Sequence, residues 1–351
     1  MALVQSVTLP LQAIIGGLFV VFFGIFGMKL FPTFGFLVPL GFTEGPGQAL
    51  SIGKVWEGVG FEHGATLGLT FAAIGFLFAF FVGVPLVNWG IRKGYAKQGS
   101  ESLPQDLLIG IIPKNQQKEP AGELTTHSGN IDTLAFQAAL IGLVYVLTYG
   151  FIIQFGKFLP PDAASILWGF FFFFGMLIAL SLRLLMGKLG VDHLIDPGVQ
   201  RRITGWAVDF LIVSTVMAIQ LVVVKTYILP ISVIALVTGI LTTVVVVYLG
   251  RRIDSYNLER TVAIYGTVTG TVPSGLLLLR IVDPEFRSPV TMDIALMNVV
   301  VSPVIAGLMV LVNAPVWWDW SIGLTVLVFA GVMSLALIMM RVLKLWGEPK
   351  F

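Results

Sequence analysis

The sequence predicts an all-α polytopic membrane protein with about eight transmembrane helices and two re-entrant or broken helices in an inverted repeat. Three observations support this fold class. The chain is 56% hydrophobic and 11% charged, whereas soluble domains carry about 25% charged residues. Apolar runs of about 20 residues recur along it. The alternating pattern of a membrane β-barrel is missing, so helices must satisfy the backbone in lipid.

Eight apolar runs have the composition of transmembrane helices. Basic residues such as Arg92 and Lys93 follow the ends of several of these runs. Tryptophans such as Trp89 lie near the ends, as is typical of membrane interfaces. The predicted spans are residues 9–31, 66–91, 134–158, 163–186, 205–224, 227–249, 289–312 and 322–342.

Two further segments contain residues that interrupt a helix. The first, near residues 36–56, includes Gly45 and Pro46, and the second, near residues 261–281, includes Gly270 and Pro273. Glycine admits positive φ and proline removes a backbone donor, so neither segment is expected to form one continuous helix. Both are predicted to be broken or re-entrant.

The basic residues predict the orientation in the membrane. We place the amino terminus in the cytoplasm and let the first broken segment re-enter from outside and the second from inside. Then 17 of the 21 Lys and Arg residues fall inside. Only Lys29, Lys54, Lys157 and Lys225 fall outside. This bias obeys the positive-inside rule and also places the carboxyl terminus in the cytoplasm.

The order of the segments predicts an internal repeat. A span, a broken segment and a second span occur in residues 1–96, and the same order recurs within residues 133–313. Residues 97–132 are predicted to form a cytoplasmic linker loop, and residues 314–351 an additional C-terminal helix. Three spans precede the second set but none precedes the first. The first repeat is therefore expected to lack about three amino-terminal helices.

The two broken segments supply the candidate binding residues. Unwound backbone exposes carbonyl groups that can bind Na⁺, half-helix amino termini attract carboxylates, and hydroxyl groups add ligands. The candidates for substrate or ion binding are Thr43, Glu44, Gly45, Gly47, Gln48, Ser51, Thr267, Thr269, Gly270, Thr271 and Ser274. No catalytic residue is assigned, and the only metal expected is Na⁺ at these same residues.

Glu44 is the most informative of these candidates. A charge in the centre of a membrane helix costs about 2.5–3.5 kcal/mol on insertion scales, so a carboxylate there needs a partner. We interpret Glu44 as an ion or proton ligand, and a wet interfacial position or a pair with Lys54 is the alternative. For the threonines and serines, hydrogen bonds to their own helices are the alternative.

Other polar residues within apolar runs have structural interpretations. Asp209 is open to a salt bridge with an arginine such as Arg202, and Asp293 is expected to have a structural role beside Arg287. Asn298 is expected to make a hydrogen bond to a neighbouring helix.

The sequence predicts neither an enzyme nor a resident cofactor. It contains no cysteine, and His63, His127 and His193 are scattered. Zinc motifs and a GxSxG element are missing. The expected partners are a small-molecule substrate, either an amino acid or a carboxylate, and the lipid bilayer, without nucleic acid. A homodimer is left open.

A family resemblance rests on the glycines and on the order of the helices. Residues 41–53 read GFTEGPGQALSIG, and residues 69–75 read LTFAAIG. Further matching stretches are residues 56–57, 60–61, 83–86, 92–94, 202–217 and 263–278. Together they resemble the bacterial sodium/glutamate symporter family over most of the chain, apart from the long loop and the last helix.

This resemblance implies a sodium-coupled carrier for glutamate-like anions, built from inverted repeats in a bacterial inner membrane. The chain departs from the family at Thr43-Glu44-Gly45-Pro46, where the family carries a Ser/Gly/His-type turn. A carboxylate at this position would repel an anionic substrate.

The predicted function is therefore secondary active transport by alternating access. The expected activity is sodium-coupled symport of glutamate or a related small carboxylate or amino acid, and H⁺ coupling is left open. A channel-like pore and an inactive, truncated fragment of a symporter are the alternatives.

Overall fold

Helices account for all of the long regular structure in the part of the chain that the structure describes. The structure is a computed structural model, and it describes residues 1–97, 114, 120–159, 167–168, 171–284, 286–349 and 351. Most of the predicted linker loop, at residues 98–113 and 115–119, lies outside the described residues. Within them no strand is formed, in agreement with the predicted all-α class.

The described helices fall into two compact units, Met1–Leu108 with Thr215–Phe351 and Ile109–Ser214. The helices are α1 (Ala2–Ile25), α2 (Phe34–Glu44), α3 (Pro46–Glu57), α4 (Gly64–Phe81), α5 (Gly83–Arg92), α6 (Thr133–Gly156), α7 (Phe171–Lys188), α8 (Pro197–Ala218), α9 (Leu221–Thr226), α10 (Ile228–Gly250), α11 (Asn257–Val282), α12 (Val290–Leu311), α13 (Ala314–Trp317) and α14 (Ile322–Val342). The predicted domain boundaries at residues 96, 132 and 313 stay predictions.

Seven helical segments of the described chain are long and apolar enough to cross a membrane, so the protein is a multi-pass membrane protein. They are α1, α4 with α5, α6, α10, α11, α12 and α14. The seven include α11, which holds the second predicted break.

Two predicted spans differ from the observed helices, and a third lies partly outside the described residues. The span predicted at residues 9–31 is wrong at both ends, because α1 begins at Ala2, contains Pro10 and ends before Gly27, whose φ of 85° stops a helix. The span predicted at residues 205–224 is also wrong. Pro197 starts α8 earlier, and the extended backbone of Gln220 separates α8 from α9. Part of the span predicted at residues 163–186, namely 163–166 and 169–170, lies outside the described residues.

In the unit that contains Ile109–Ser214, α6 packs against α7 through aromatic rings. The rings of Tyr145 and Phe171 lie 4.9 Å apart, and those of Phe151 and Phe174 lie 5.1 Å apart. These phenylalanines of α7 therefore form a packing surface. Asp132 caps α6 by accepting the backbone N–H groups of the first turn.

In the larger unit, α1 is the central helix. It packs against α10, α12 and, along most of its length, α14. The Cβ position of Gly17 lies against Val326 of α14, and a hydrophobic cluster that contains Val4 also holds Met340 of α14. The helix predicted as an additional C-terminal element is thus part of the core that surrounds α1.

Two ends of this larger unit can be distinguished by their basic residues. At one end, the rings of Phe31 and Phe61 stack 4.6 Å apart. We call it the lysine end because Lys29 lies close to Phe31 in sequence, and Lys54 lies close to Trp56, whose ring is 6.1 Å from that of Phe61. At the other end, Gly90 packs against Leu258. We call it the arginine end, after Arg92, Arg251, Arg252 and Arg260.

Candidate functional site

The first predicted interruption is a turn between α2 and α3. Gly45 has φ 90° and ψ −177°, a conformation that is essentially restricted to glycine. Pro46 follows at the first helical position of α3, where its missing N–H costs nothing. The break is therefore caused by two adjacent residues: Gly45 adopts the turn conformation, and Pro46 starts the next helix.

The segment of α2 and α3 folds back as a hairpin, which we call hairpin 1. The ring of Phe61 lies 6.1 Å from that of Phe34, at the start of α2, and 6.1 Å from that of Trp56, near the end of α3. Both ends of hairpin 1 are therefore at the lysine end. Each arm is about 16–18 Å long, close to half the thickness of a membrane core of about 30 Å.

The second interruption lies inside α11. Gly270 has φ −152° and ψ 25°, and Thr271 has φ 75° and ψ 169°, so neither residue is helical. A Cβ on Gly266 would lie 2.7 Å from the Cα of Gly275. In a straight helix residues nine positions apart are about 13.5 Å apart, so the two halves of α11 must fold back on each other. We call this segment hairpin 2.

Hairpin 2 opens toward the arginine end. Leu258, in the first turn of its first half, contacts Gly90, and its second half brings Leu278 against Gly83. The close approach of its two arms requires small residues, because a Cβ on Gly275 would lie 2.3 Å from Thr267 Oγ1. The two hairpins thus enter the larger unit from opposite ends.

The tips of the two hairpins touch in the middle of the unit. A Cβ on Gly45 would lie 2.2 Å from Thr271 Cγ2, so only glycine fits between the tips. The two residues also share an unusual backbone conformation, with φ near +80° and ψ near 180°. The broken segments, predicted as two halves of one site, are therefore in direct contact.

A buried hydrogen-bond network joins the tips to α1. Thr43 Oγ1 donates to Gln12 Oε1 at 2.8 Å and to the Val268 carbonyl at 3.1 Å. Gln12 Nε2 donates to the same carbonyl at 2.9 Å and lies 3.4 Å from Thr242 Oγ1 of α10. The exposed fraction is 0% for Gln12 and Thr242 and 5% for Thr43. Four helical elements meet in this network.

Sequence reasoning missed Gln12. The first span was predicted to begin at residue 9, which placed Gln12 near a membrane surface, whereas α1 begins at Ala2 and carries Gln12 to its middle. An amide near the middle of an apolar helix is costly in lipid and was the signal that could have identified it.

Three hydroxyl groups among the predicted ligands bond to their own helix. Thr267 Oγ1 donates to the Ala263 carbonyl at 2.8 Å, Thr269 Oγ1 to the Tyr265 carbonyl at 2.7 Å, and Ser274 Oγ to the Gly270 carbonyl at 2.6 Å. This is the alternative role that the sequence left open. The backbone of these residues still builds hairpin 2.

Four other predicted ligands are partly exposed. Within the described chain, the side chains of Glu44, Gln48, Ser51 and Thr271 make no hydrogen bond or ion pair. Their side chains are therefore able to bind a ligand. The Cβ position of Gly47 has no atom within 4 Å, so space is open beside the first turn of α3.

The proposed pair between Glu44 and Lys54 is wrong. Lys54 Nζ lies 2.7 Å from Glu57 Oε2, and 74% of the lysine side chain is exposed. Lys54 sits in the last turn of α3, about 13.5 Å along the helix from the tip at Gly45. Glu44 therefore has no cationic partner among the described residues.

Two other polar residues make structural contacts, and a third, Asp209, makes no ion pair within the described residues. Asp293, in the first turn of α12, pairs with Arg260 at 2.8 Å, so its expected structural role is confirmed, with Arg260 rather than Arg287 as the partner. Asn298 donates to the Ile294 carbonyl of its own helix instead of to a neighbour. Asp209 is exposed and forms no ion pair within the described residues.

The tips combine both kinds of helix end. Each hairpin contributes the carboxyl end of its first arm and the amino end of its second arm, which carry partial negative and positive charge respectively. Amino ends attract anions such as carboxylates, and carboxyl ends attract cations. The meeting point can therefore bind a small molecule that carries a carboxylate together with a cation.

Comparison with known proteins gives no family assignment: no protein-family model, no curated protein and no solved structure matches the chain.

Proposed function

We propose that the protein is a secondary active transporter that carries out sodium-coupled symport of glutamate or a related small carboxylate or amino acid. The observation that carries this proposal is the contact between Gly45 and Thr271, where two hairpins from opposite ends meet. Interrupted helices that meet near the midplane are typical of the binding sites of secondary transporters.

An inverted repeat accounts for the paired hairpins. Helix α1, hairpin 1 and α4 with α5 would form one repeat, and α10, hairpin 2 and α12 the other. The matching backbone conformations of Gly45 and Thr271 support this assignment. In such a repeat each hairpin closes the path from one side, which is the arrangement that alternating access needs.

The charge distribution supports an orientation with the lysine end outside. Near the lysine end of the larger unit lie Lys29, Lys54 and Lys225, whereas arginines are concentrated at the opposite end. Under the positive-inside rule the arginine end is cytoplasmic. We place the protein in a bacterial inner membrane on the resemblance to the sodium/glutamate symporters.

The substrate would bind between the tips. The amino end of α3 at Pro46 and the start of the second arm of hairpin 2 would bind its carboxylate. Glu44, which has no partner in the described chain, would bind a cation or the ammonium group of an amino acid. A substrate with both charges suits this site better than a simple anion.

Uptake by the purified protein in liposomes tests this function. An inward Na⁺ gradient should drive saturable accumulation of at least one member of a panel of acidic and neutral amino acids and small carboxylates. Accumulation should stop when the Na⁺ and H⁺ gradients are both collapsed. A voltage-driven current that does not saturate would instead support a channel. Absence of any flux would support an inactive protein.

A further inference from the structure

The chain that follows α14 folds back against the end of α10 at the arginine end. Lys344 has φ 56°, and the Leu345 N–H donates to the Met340 carbonyl at 2.9 Å, which is a common way for a helix to end. A Cβ on Gly347 would lie 2.7 Å from the Arg252 carbonyl. The turn after α14 therefore brings two segments together that are about 95 residues apart in the chain.

Two aromatic rings and two arginines meet where these segments touch. The rings of Tyr248 and Trp346 lie 6.1 Å apart and are nearly perpendicular. The guanidinium carbon of Arg252 lies 3.9 Å from the centre of the Tyr248 ring, and that of Arg341 lies 5.3 Å from the centre of the Trp346 ring. Both distances are those of cation–π contacts. We call these four residues the arginine–aromatic cluster.

The positive charges of this cluster are not neutralised within the described chain. Neither Arg252 nor Arg341 forms an ion pair there. Arg252 Nη1 donates to the Tyr248 carbonyl at 2.7 Å, which fixes the guanidinium group over the ring and leaves most of its five N–H donors unused. Arg341 is exposed. Two guanidinium groups are therefore available to bind an anion.

Each arginine follows an exposed apolar face of its helix. On α10, Ile240 and Val244 are exposed and precede Arg252 at helical spacing, so all three share one face. On α14, Ile338 is exposed and lies three residues before Arg341. Exposed apolar faces of membrane-spanning helices contact lipid acyl chains, and arginines at the ends of such helices lie at the level of the headgroups.

We propose that the arginine–aromatic cluster binds the headgroup of an anionic phospholipid. Guanidinium groups bind phosphate oxygens through paired N–H donors, and basic pockets between membrane helices bind anionic headgroups. The exposed faces of α10 and α14 contact the acyl chains. Tyr248 and Trp346 lie between these faces and the charges, where amphipathic rings are favoured. A free phosphate ion would use the arginines alone, so the apolar faces favour a lipid.

This inference is independent of the transport function. Helices α10 and α14 both pack on α1. A lipid held by Arg252 and Arg341 joins the ends of these two helices, and a ligand that binds only the folded protein stabilises it. The lipid therefore stabilises the larger unit whether or not the protein transports a substrate.

Native mass spectrometry of the purified protein in detergent measures this binding directly. Phosphatidylglycerol, which is anionic, is titrated and compared with zwitterionic phosphatidylcholine of the same acyl chains. The wild type should bind phosphatidylglycerol more tightly. Arg252→Gln and Arg341→Gln should each raise its Kd about five-fold, equivalent to about 1 kcal/mol, and should leave the Kd of phosphatidylcholine unchanged.

Three further variants separate lipid binding from a general loss of charge or of folding. Arg92→Gln removes the same charge from an exposed arginine at the same end that lies over no aromatic ring in the described chain, and its Kd should match the wild type. Arg252→Lys keeps the charge and should bind more tightly than Arg252→Gln. Trp346→Leu keeps every charge but should weaken binding. An unchanged unfolding midpoint in phosphatidylcholine shows that each variant is folded.

Inorganic phosphate distinguishes a lipid site from a simple anion site. Phosphate at the same concentration as the lipid should not displace phosphatidylglycerol. Displacement would refute the lipid site, because the apolar faces would then contribute nothing. Equal affinity of the wild type for the two lipids would also refute it, as would wild-type affinity for phosphatidylglycerol in folded Arg252→Gln and Arg341→Gln.

Discussion

Gly45 and Thr271 lie against each other at the two turns where hairpin 1 and hairpin 2 reverse direction. A Cβ on Gly45 would lie only 2.2 Å from Thr271 Cγ2, and both residues have positive φ, 90° for Gly45 and 75° for Thr271. A β-branched residue is strained in this conformation, so the surrounding structure must hold Thr271 there. The contact makes the geometry of each tip depend on the other.

Replacement of Gly45 by alanine tests this contact. The new methyl group would overlap Thr271 and force φ 90° on a residue that avoids it, at a cost on the order of 1–3 kcal/mol. We expect a lower unfolding midpoint in detergent and a loss of most uptake. Gly27→Ala is the matched control, because Gly27 also has a positive φ of 85° but its Cβ would meet nothing within 4 Å. Equal behaviour of the two variants would mean that the tips do not touch.

Removal of the Glu44 charge tests the role of the unpaired carboxylate. Glu44→Gln keeps the size of the side chain but cannot bind a cation by charge, so uptake should be lost or should change its cation dependence while expression is retained. Glu62→Gln, at an exposed position near the lysine end, should leave uptake unchanged. Normal, Na⁺-dependent uptake by Glu44→Gln would remove Glu44 from the binding site.

Cysteine accessibility tests the two hairpins and the orientation together. The natural chain contains no cysteine, so single substitutions can be labelled without background. Lys29→Cys lies before hairpin 1 and Lys54→Cys lies in its last turn, and both should react in intact cells with a membrane-impermeant maleimide. Asp254→Cys and Arg287→Cys flank hairpin 2 and should react only after permeabilisation.

The informative comparison in this labelling experiment is between the two cysteines at the ends of one hairpin. A segment that crosses the membrane would place its two flanking cysteines on opposite sides, whereas a re-entrant hairpin keeps them on one side. Opposite labelling of Lys29→Cys and Lys54→Cys would therefore refute the re-entrant interpretation of hairpin 1. If both cysteines of each pair are labelled from one side, but the two sides are the reverse of those predicted, only the predicted orientation is refuted.

A buried hydrogen bond anchors hairpin 1 at the lysine end. Trp56 Nε1 donates to Asn313 Oδ1 at 2.7 Å, and both side chains are buried. Trp56→Phe should lower the free energy of unfolding by about 1–3 kcal/mol, because it leaves the amide oxygen unsatisfied. In a double-mutant cycle with Asn313→Leu, the effects should be less than additive. Strictly additive effects would show that the bond contributes nothing.

The interruption of hairpin 1 could be predicted because its cause is local. Gly45 and Pro46 have backbone preferences that end one helix and start the next wherever they occur. The tip of hairpin 2 was harder to locate, since Thr271 adopts a conformation that threonine normally avoids and that only the packing around it imposes. Its position could be predicted only to within the Gly-Thr-rich run.

The network at Gln12 could not be predicted, because it depends on partners far away in sequence. Whether a buried hydroxyl bonds its own helix, as Thr269 does, or a distant group, as Thr43 does, is decided by the helix opposite it. Asp293 illustrates the same limit for charges, since its partner Arg260 lies 33 positions away in the chain.

The bond between Thr43 and the Val268 carbonyl joins residues that are 225 positions apart in the chain. During synthesis, hairpin 1 emerges long before hairpin 2 exists. Its polar tip must therefore stay in a hydrated or protein-lined environment, such as the insertion machinery, until the last third of the chain arrives, because lipid offers it no partner. Assembly of the two tips is thus expected to be the late, committing step in the biogenesis of this protein.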